Sequence, residues 1–467
     1  MARLNSFIFI LIFSTPLVGQ DRIPEFSPQV FFELVSKNHP VARQAMLLSE
    51  QARQEIRFAR GSFDPKLEAS FATKEFQDKT YYKEMEGGIS IPTRSPINPK
   101  LNFENRTGQL LDPSEKIPGN RQVAAGLSIP LGKGLITDER RTALKQAELM
   151  TTLLEADQVK IVNKVLLEAT QAYWNWYYWY QIYLLRDQGA ALARDILNRT
   201  KLNLQQGEAA PLDTTQASIN LQTRLIDWQE AQLQFINAQI NASNFLWDES
   251  AAPIELGENT KPFPSAGSFN VNTTELSLLL DQALANHPDL VKLKTKFDQL
   301  EFERTLTREF MKPRLDFNYA LLSQPGTVHR FDAKNDYKLG LDFSMPLFLR
   351  KERAKLKMVD LKLNQNQLEQ QQAKRDIENS IRKIFNEVKN SGIQLGRQEE
   401  AARSFEILLA GELLNLQNGE SDLFKITLQQ EKLLQIREKV YKIQADLEKQ
   451  KSYLNWAAGT PGLGYFQ

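Results

Sequence analysis

The 467-residue chain has no cysteine, which excludes disulfides, thiolate metal sites and thiol nucleophiles. Its three histidines are scattered, so a His-rich metal centre is not expected. An excess of either charge is missing too, since 58 Lys and Arg against 57 Asp and Glu leave a net charge of +1. A nucleic-acid binder would need a net basic face to gain from phosphate neutralisation. No apolar run reaches the roughly 20 residues of a transmembrane helix, and mean hydropathy is −0.43. There is no phosphate loop, no Gly-x-Ser-x-Gly elbow and no His-Glu-x-x-His. No catalytic, cofactor-binding or metal-ligating residue is therefore expected, and the chain is not read as an enzyme.

Two long stretches lack proline altogether: Ile136 to Gln206 and Leu349 to Gln417. Their only glycines are Gly189 in the first and Gly392, Gly396 and Gly411 in the second. Uninterrupted helices of that length run on the order of 100 Å at about 1.5 Å per residue. At the start of the chain Arg3 precedes the short apolar run Phe7 to Phe13, followed by Pro16 and Gly19. That pattern predicts an export signal over residues 1–20, too short to span a bilayer.

The chain is written twice. Asn38-His39-Pro40 recurs 248 residues later as Asn286-His287-Pro288, and Pro65-Lys66-Leu67 recurs at the same offset as Pro313-Arg314-Leu315. Ile129-Pro130-Leu131 matches Met345-Pro346-Leu347 at 216. Arg141-Thr142-Ala143-Leu144 matches Arg353-Ala354-Lys355-Leu356 at 212, and Leu202 to Glu208 matches Leu414 to Glu420 at 212 again. The first repeat thus carries 32 extra residues between Pro65 and Pro130, within 77–120. Both histidines are expected to be structural, at helix breaks with Pro in the first turn.

Each repeat reads as helix, strands, long helix, reversal and returning helix. Repeat 1 (21–249) holds a helix over 28–62, strands near 66–76 and 121–130, and helices over 136–206 and 211–247. Repeat 2 (274–457) holds a helix over 274–311, strands near 314–323 and 336–346, and helices over 349–417 and 422–456. A Pro- and Gly-rich linker, 250–273, joins them, and 458–467 is a tail. On the last helix Ile426, Leu433, Val440, Leu447 and Leu454 are spaced by seven, and Thr214, Leu221, Trp228, Phe235 and Ala242 hold the same register 212 residues earlier. Ile377, Ile381, Ile384 and Val388 make a similar narrow stripe, as expected for a coiled-coil seam. The run Tyr173-Trp174-Asn175-Trp176-Tyr177-Tyr178-Trp179-Tyr180 covers every side of its helix turns. It fits dense packing against a further helical layer better than a ligand-stacking site.

The strands alternate. Leu315, Phe317, Tyr319 and Leu321 oppose Arg314, Asp316, Asn318 and Ala320, and Tyr337, Leu339, Leu341, Phe343 and Met345 oppose Lys338, Gly340, Asp342 and Ser344. Repeat 1 echoes this with Leu67, Ala69 and Phe71, and with Val123, Ala125, Leu127 and Ile129. Strands of about ten residues with one apolar and one polar face match the wall of an outer-membrane barrel. Four strands cannot close a barrel alone, so several chains must contribute. Met85 to Ile91 and Lys100 to Glu104 suggest an additional hairpin, placed either in the wall or as an extracellular loop.

This arrangement resembles the TolC-like outer-membrane efflux proteins over nearly the whole mature chain. The likeness lies in the tandem repeat, a strand hairpin per repeat, the Pro-Leu ending before each long helix, and the Gly-containing reversals before heptad helices. It implies an α+β membrane protein, a homotrimer with a twelve-stranded transmembrane β-barrel completed by trimerisation and a coiled-coil helical tunnel in the periplasm. It also implies tip loops Gln206-Gly207-Glu208 and Asn418-Gly419-Glu420 that meet a periplasmic membrane-fusion adaptor. The family often places Asp six residues past the second Gly in a selectivity ring. Here that position is Lys425, Asp213 follows Gly207 by six, and Asp422 follows Gly419 by three. Asp213, Lys425 and Asp422 are accordingly the candidate entrance constriction, with Asp213 and Lys425 facing each other. The candidate lipid-facing residues are Leu67, Phe71, Val123, Leu127, Leu315, Phe317, Tyr319, Leu339, Leu341 and Phe343.

The function so implied is that of an outer-membrane channel subunit, the passive exit duct of a tripartite efflux or type I secretion system. Its partners would be the adaptor, a proton-driven or ATP-binding-cassette inner-membrane pump, and outer-membrane lipid, with no nucleic acid and no cofactor. The alternative is a non-conducting periplasmic coiled-coil adaptor or scaffold.

Overall fold

The computed structural model describes residues 25–108, 111–112, 116–257, 259–263, 273–325, 332–418 and 420–460. The expected export signal (1–20) and Gly419 of the second tip loop lie outside the described residues. In chain order the elements are β1 (Glu25–Phe26), α1 (Pro28–Asn38), α2 (Pro40–Gly61), β2 (Lys66–Phe76), β3 (Lys79–Ser90), β4 (Asn98–Thr107), β5 (Arg121–Pro130), α3 (Glu139–Gln205) and α4 (Pro211–Ser243). There follow β6 (Lys261–Pro262), α5 (Thr273–Asn286), α6 (Pro288–Phe310), β7 (Arg314–Ser323), β8 (Tyr337–Ser344), α7 (Arg350–Gln417) and α8 (Leu423–Ala458). Among the described residues no helix is long and apolar enough to cross a membrane.

In place of one helix over 28–62 and one over 274–311, the chain forms the pairs α1, α2 and α5, α6. The break is local chemistry. A residue before proline is pushed out of the helical region, and His39 and His287 sit at ψ 131° and 129°. Pro40 and Pro288 then open the next helices, and each imidazole Nδ1 accepts the N–H two residues on, Val41 at 3.3 Å and Asp289 at 3.1 Å.

The chain forms two compact units. The first comprises the described residues of Met1–Asn38, Ala169–Phe269 and Gln394–Asp446. Its aromatic centre is the Tyr173 run: Tyr173, Trp174, Trp176 and Tyr177 are buried together with Phe31 and Phe32. The Tyr173 ring lies 5.1 Å from Phe31 and 5.9 Å from Phe32. Its hydroxyl is 2.7 Å from the Phe26 carbonyl and 3.0 Å from that of Phe263, and it accepts the Phe263 N–H at 3.1 Å. This clasps β1 and β6, which pair in parallel. The segment expected to be only a linker therefore contributes a strand. Burial pushes the Tyr173 hydroxyl well above its usual range. Nearby, Arg186 reaches Glu438 at 2.6 Å, and burial, with the Glu438 charge second, pushes Tyr178 up to about 12.

Gly189 in mid-helix faces α8. A Cβ there would make ordinary contact with Leu434 at 3.4 Å, and the Gln430 amide donates to the Gly189 carbonyl at 3.0 Å. The heptad residues of this unit are mostly inward: Leu221, Phe235, Ala242, Ile426 and Val440 are buried.

The second unit comprises the described residues of His39–Glu168, Asn270–Ile393 and Leu447–Gln467. Ile377, Ile381, Ile384 and Val388 are all buried, as a one-sided stripe requires. Leu300 of α6 packs with Val359 and Leu363 of α7, backed by Phe297. Ion pairs stitch the rim: Lys292 to Asp157 at 2.5 Å and Arg304 to Asp360 at 2.9 Å. Gly459 ends α8 with φ +68°, and its position closes against His287 and Pro288. This unit also contains the main sheet.

Candidate functional site

The sheet has six antiparallel strands in the order β2-β3-β4-β5-β7-β8. The two strands expected to pair in repeat 1, β2 and β5, are not neighbours. The extra residues form β3 and β4, which lie between them. All four strand ends that connect to helices (Lys66, Pro130, Arg314 and Ser344) fall on the same end of the sheet, as the up-and-down order dictates.

Directly paired residues point to the same face, so register defines the faces. One row runs Leu67, Ile89, Leu101, Ala125, Leu321 and Tyr337. Another runs Ala69, Gly87, Phe103, Val123 and Ser323. Leu127 pairs Tyr319, which pairs Leu339; Ile129 pairs Phe317, which pairs Leu341; and Leu315 pairs Phe343. All ten candidate apolar strand residues therefore share one face, Phe71 among them opposite Met85. Leu67 is 80% exposed and Phe343 68%, so this chain does not cover that face with a core of its own.

The opposite face is polar. Lys66, Ser90 and Lys100 form one row, and Ser70, Glu86 and Glu104 another. Arg106 reaches Glu86 at 2.5 Å and Glu104 at 3.6 Å. Asn318 donates to Asp342 at 2.9 Å, and Arg314 pairs Asp316 at 2.6 Å. Among the described residues no group of three or more His, Cys, Asp or Glu could hold a metal ion.

The two reversals are built alike. At the first, Gly207 adopts φ +81°, its N–H reaches Leu204 O at 3.1 Å, and Glu208 N–H reaches Asn203 O at 2.8 Å. This double bond is a Schellman closure, which glycine accommodates without a Cβ penalty. At the second, Glu420 N–H reaches Asn415 O at 2.8 Å and Asn418 N–H reaches Leu414 O at 3.2 Å. The helices that follow are capped by acidic residues. Asp213 Oδ2 accepts the Ala210 N–H at 3.0 Å, and Asp422 Oδ1 accepts the Lys425 N–H at 2.8 Å. Lys425 Nζ lies 3.9 Å from Asp422 Oδ2, with both side chains more than half exposed. Within one chain Lys425 therefore meets Asp422, and Asp213 serves its own helix start.

Sequence reasoning did not place the Tyr173 clasp on β1 and β6 or the neighbours of β3 and β4. Alternation in 79–90 and 98–107 was the available signal for the latter.

No protein-family model matches the sequence, and no curated protein matches it. Solved structures do match. The chain is similar to the Campylobacter jejuni CmeC outer membrane channel, with TM-score 0.63 and 15% identity over 92% of this chain and 84% of that one. It is similar to CusC, with TM-score 0.64 and 15% identity over 92% and 91%. It is also similar to the outer membrane protein VceC of Vibrio cholerae, with TM-score 0.63 and 14% identity over 92% and 95%. Duplicated long helices and a two-faced six-stranded sheet, together with these likenesses, give the chain the fold of the TolC-like outer-membrane channel proteins.

Proposed function

We propose that this chain is the subunit of an outer-membrane channel, the passive exit duct of a tripartite efflux or type I secretion system, assembled as a homotrimer. The observation that carries it is the six-stranded sheet with one largely apolar face, interrupted at Asn105 and Arg121, and two outer strands, β2 and β8, that each leave one edge unpaired among the described residues. In water that face would stay exposed. In lipid it is solvated, and its strands of 8–12 residues suit the ~9–11 needed to cross. Open edges are not tolerated in hydrocarbon, so copies must join edge to edge around a polar lumen.

The reversals at Gln206-Gly207-Glu208 and Asn418-Gly419-Glu420 would form the periplasmic entrance and meet a membrane-fusion adaptor, with an inner-membrane pump supplying energy. Asp213, Asp422 and Lys425 would set charge at that entrance, where gating is by size and charge rather than by a fitted pocket.

The test is fractionation followed by reconstitution. The protein is expected in the outer membrane after a carbonate wash, and purified material is expected to conduct in planar bilayers without nucleotide. Release by carbonate as a water-soluble monomer, or absence of conductance from membrane-inserted material, would overturn the proposal. The second result would favour a non-conducting scaffold.

A further inference from the structure

We infer that the barrel wall contains six strands from each chain, and therefore eighteen in all, closed by β8 of one copy pairing with β2 of the next near Lys66 and Ser344. The inference rests on the three-copy assembly proposed above and replaces the twelve strands expected from two per repeat.

Three observations carry it. First, β3 and β4 are integral to the sheet: eight pairs join β3 to β4 and eight join β4 to β5. Second, they share the two-faced pattern. Met85, Ile89, Leu101 and Phe103 extend the apolar face, and Glu86, Lys100, Glu104 and Arg106 extend the polar one. A hairpin folded outside the membrane has no need of an apolar side that continues its neighbours' rows. Third, the stagger closes. The row that starts at Lys66 passes Ser90, Lys100, Gly126 and Ala320 and ends at Lys338, six residues short of the end of β8 at Ser344. The helix-side end of the sheet is thus a staircase that drops six residues across six strands.

Rotational symmetry keeps the next copy's β2 at its own starting height, and the inferred closure sets its Lys66 beside Ser344. Six residues of about 3.3 Å over six spacings of about 4.8 Å give a strand tilt of roughly 35°, within the ~35–45° of membrane barrels. With an even number of strands per copy, β8 and the incoming β2 also run antiparallel, as every other pair does. Eighteen strands at that spacing and tilt enclose a wall about 34 Å across, about one and a half times a twelve-stranded barrel. Such a bore suits bulky cargo, and any narrow filter must lie elsewhere.

The absence of native cysteine makes the test direct. Single variants Leu339→Cys, Met85→Cys, Leu101→Cys, Glu86→Cys and Asn102→Cys are compared in intact outer membranes for reaction with a water-soluble maleimide. After solubilisation and labelling with a fluorophore, the protein is reconstituted and quenching by brominated lipid is read. Leu67→Cys with Phe343→Cys is oxidised to look for disulfides between copies. The expected result is lipid quenching at Leu339, Met85 and Leu101, with maleimide rates there about tenfold below those at Glu86 and Asn102. The double variant should migrate as a covalent three-copy ring without reductant, and neither single variant should. Quenching at Leu339 with aqueous reaction at Met85 and Leu101 would put the hairpin outside the wall and overturn the inference alone. An absent disulfide between copies would overturn the closure. No quenching at Leu339 either would defeat the channel proposal itself.

Discussion

At the scale of single residues, two positions separate folding from transport. Gly459 holds φ +68°, and a Cβ there would sit 2.7 Å from Pro288 Cδ and 2.8 Å from His287 Cδ2. Gly459→Ala is therefore expected to destabilise by about 1–3 kcal/mol, through backbone strain and displacement of the α6 start. A lower melting temperature of the detergent-solubilised protein would show it, and an unchanged one would refute it. Lys425 is different. Its partner Asp422 is exposed, and such a pair contributes only ~0–1 kcal/mol. Lys425→Glu should leave melting unchanged yet raise cation selectivity, read as a shifted reversal potential under a salt gradient. Unchanged conductance and selectivity would remove Lys425 from the entrance. The candidates Asp213, Asp422 and Lys425 came from the family resemblance through their spacing from the reversals, whereas their local duty as helix-start chemistry follows from the first-turn hydrogen bonds.

At the scale of elements, the twice-written Asn-His-Pro is the clearest case of sequence dictating structure. Each histidine must be neutral to accept its N–H, and burial holds both imidazoles below their usual range. The sign follows. Below the unfolded value near 6.5 the unfolded chain binds protons that the folded chain does not, so stability is complete above that pH and falls toward the depressed folded value. Melting temperature should drop between about pH 7 and pH 5, and His39→Asn with His287→Asn should flatten that dependence, since Asn also caps and does not titrate. An equal drop in the double variant would locate the effect elsewhere. The helix stripes were equally legible, because a 3.5-residue period needs only local sequence. The Tyr173 clasp was not. A tyrosine hydroxyl's partners, the Phe26 carbonyl and the Phe263 backbone, lie 147 and 90 residues away.

At the scale of the molecule, a near-neutral chain with an uncovered apolar sheet face should behave as a detergent-dependent assembly. Removing detergent is expected to sediment the protein, and static light scattering in detergent should give three times the mass of the mature chain for its protein part, each copy weighing less than the 53.5 kDa of the full sequence by its export signal. A stable monomer in plain buffer would contradict both. The sequence alone determined the duplication, the long proline-free helices, the glycines at the reversals and the apolar faces of β2, β5, β7 and β8, because each is legible from a short stretch of residues or its recurrence. It also gave the β7–β8 hairpin, but not the neighbours of β2 and β5. Alternation says which face a side chain takes, whereas pairing is a hydrogen-bond choice between segments distant in the chain. Only the tertiary structure decided that β3 and β4 separate β2 from β5, and with that the stagger and width of the wall.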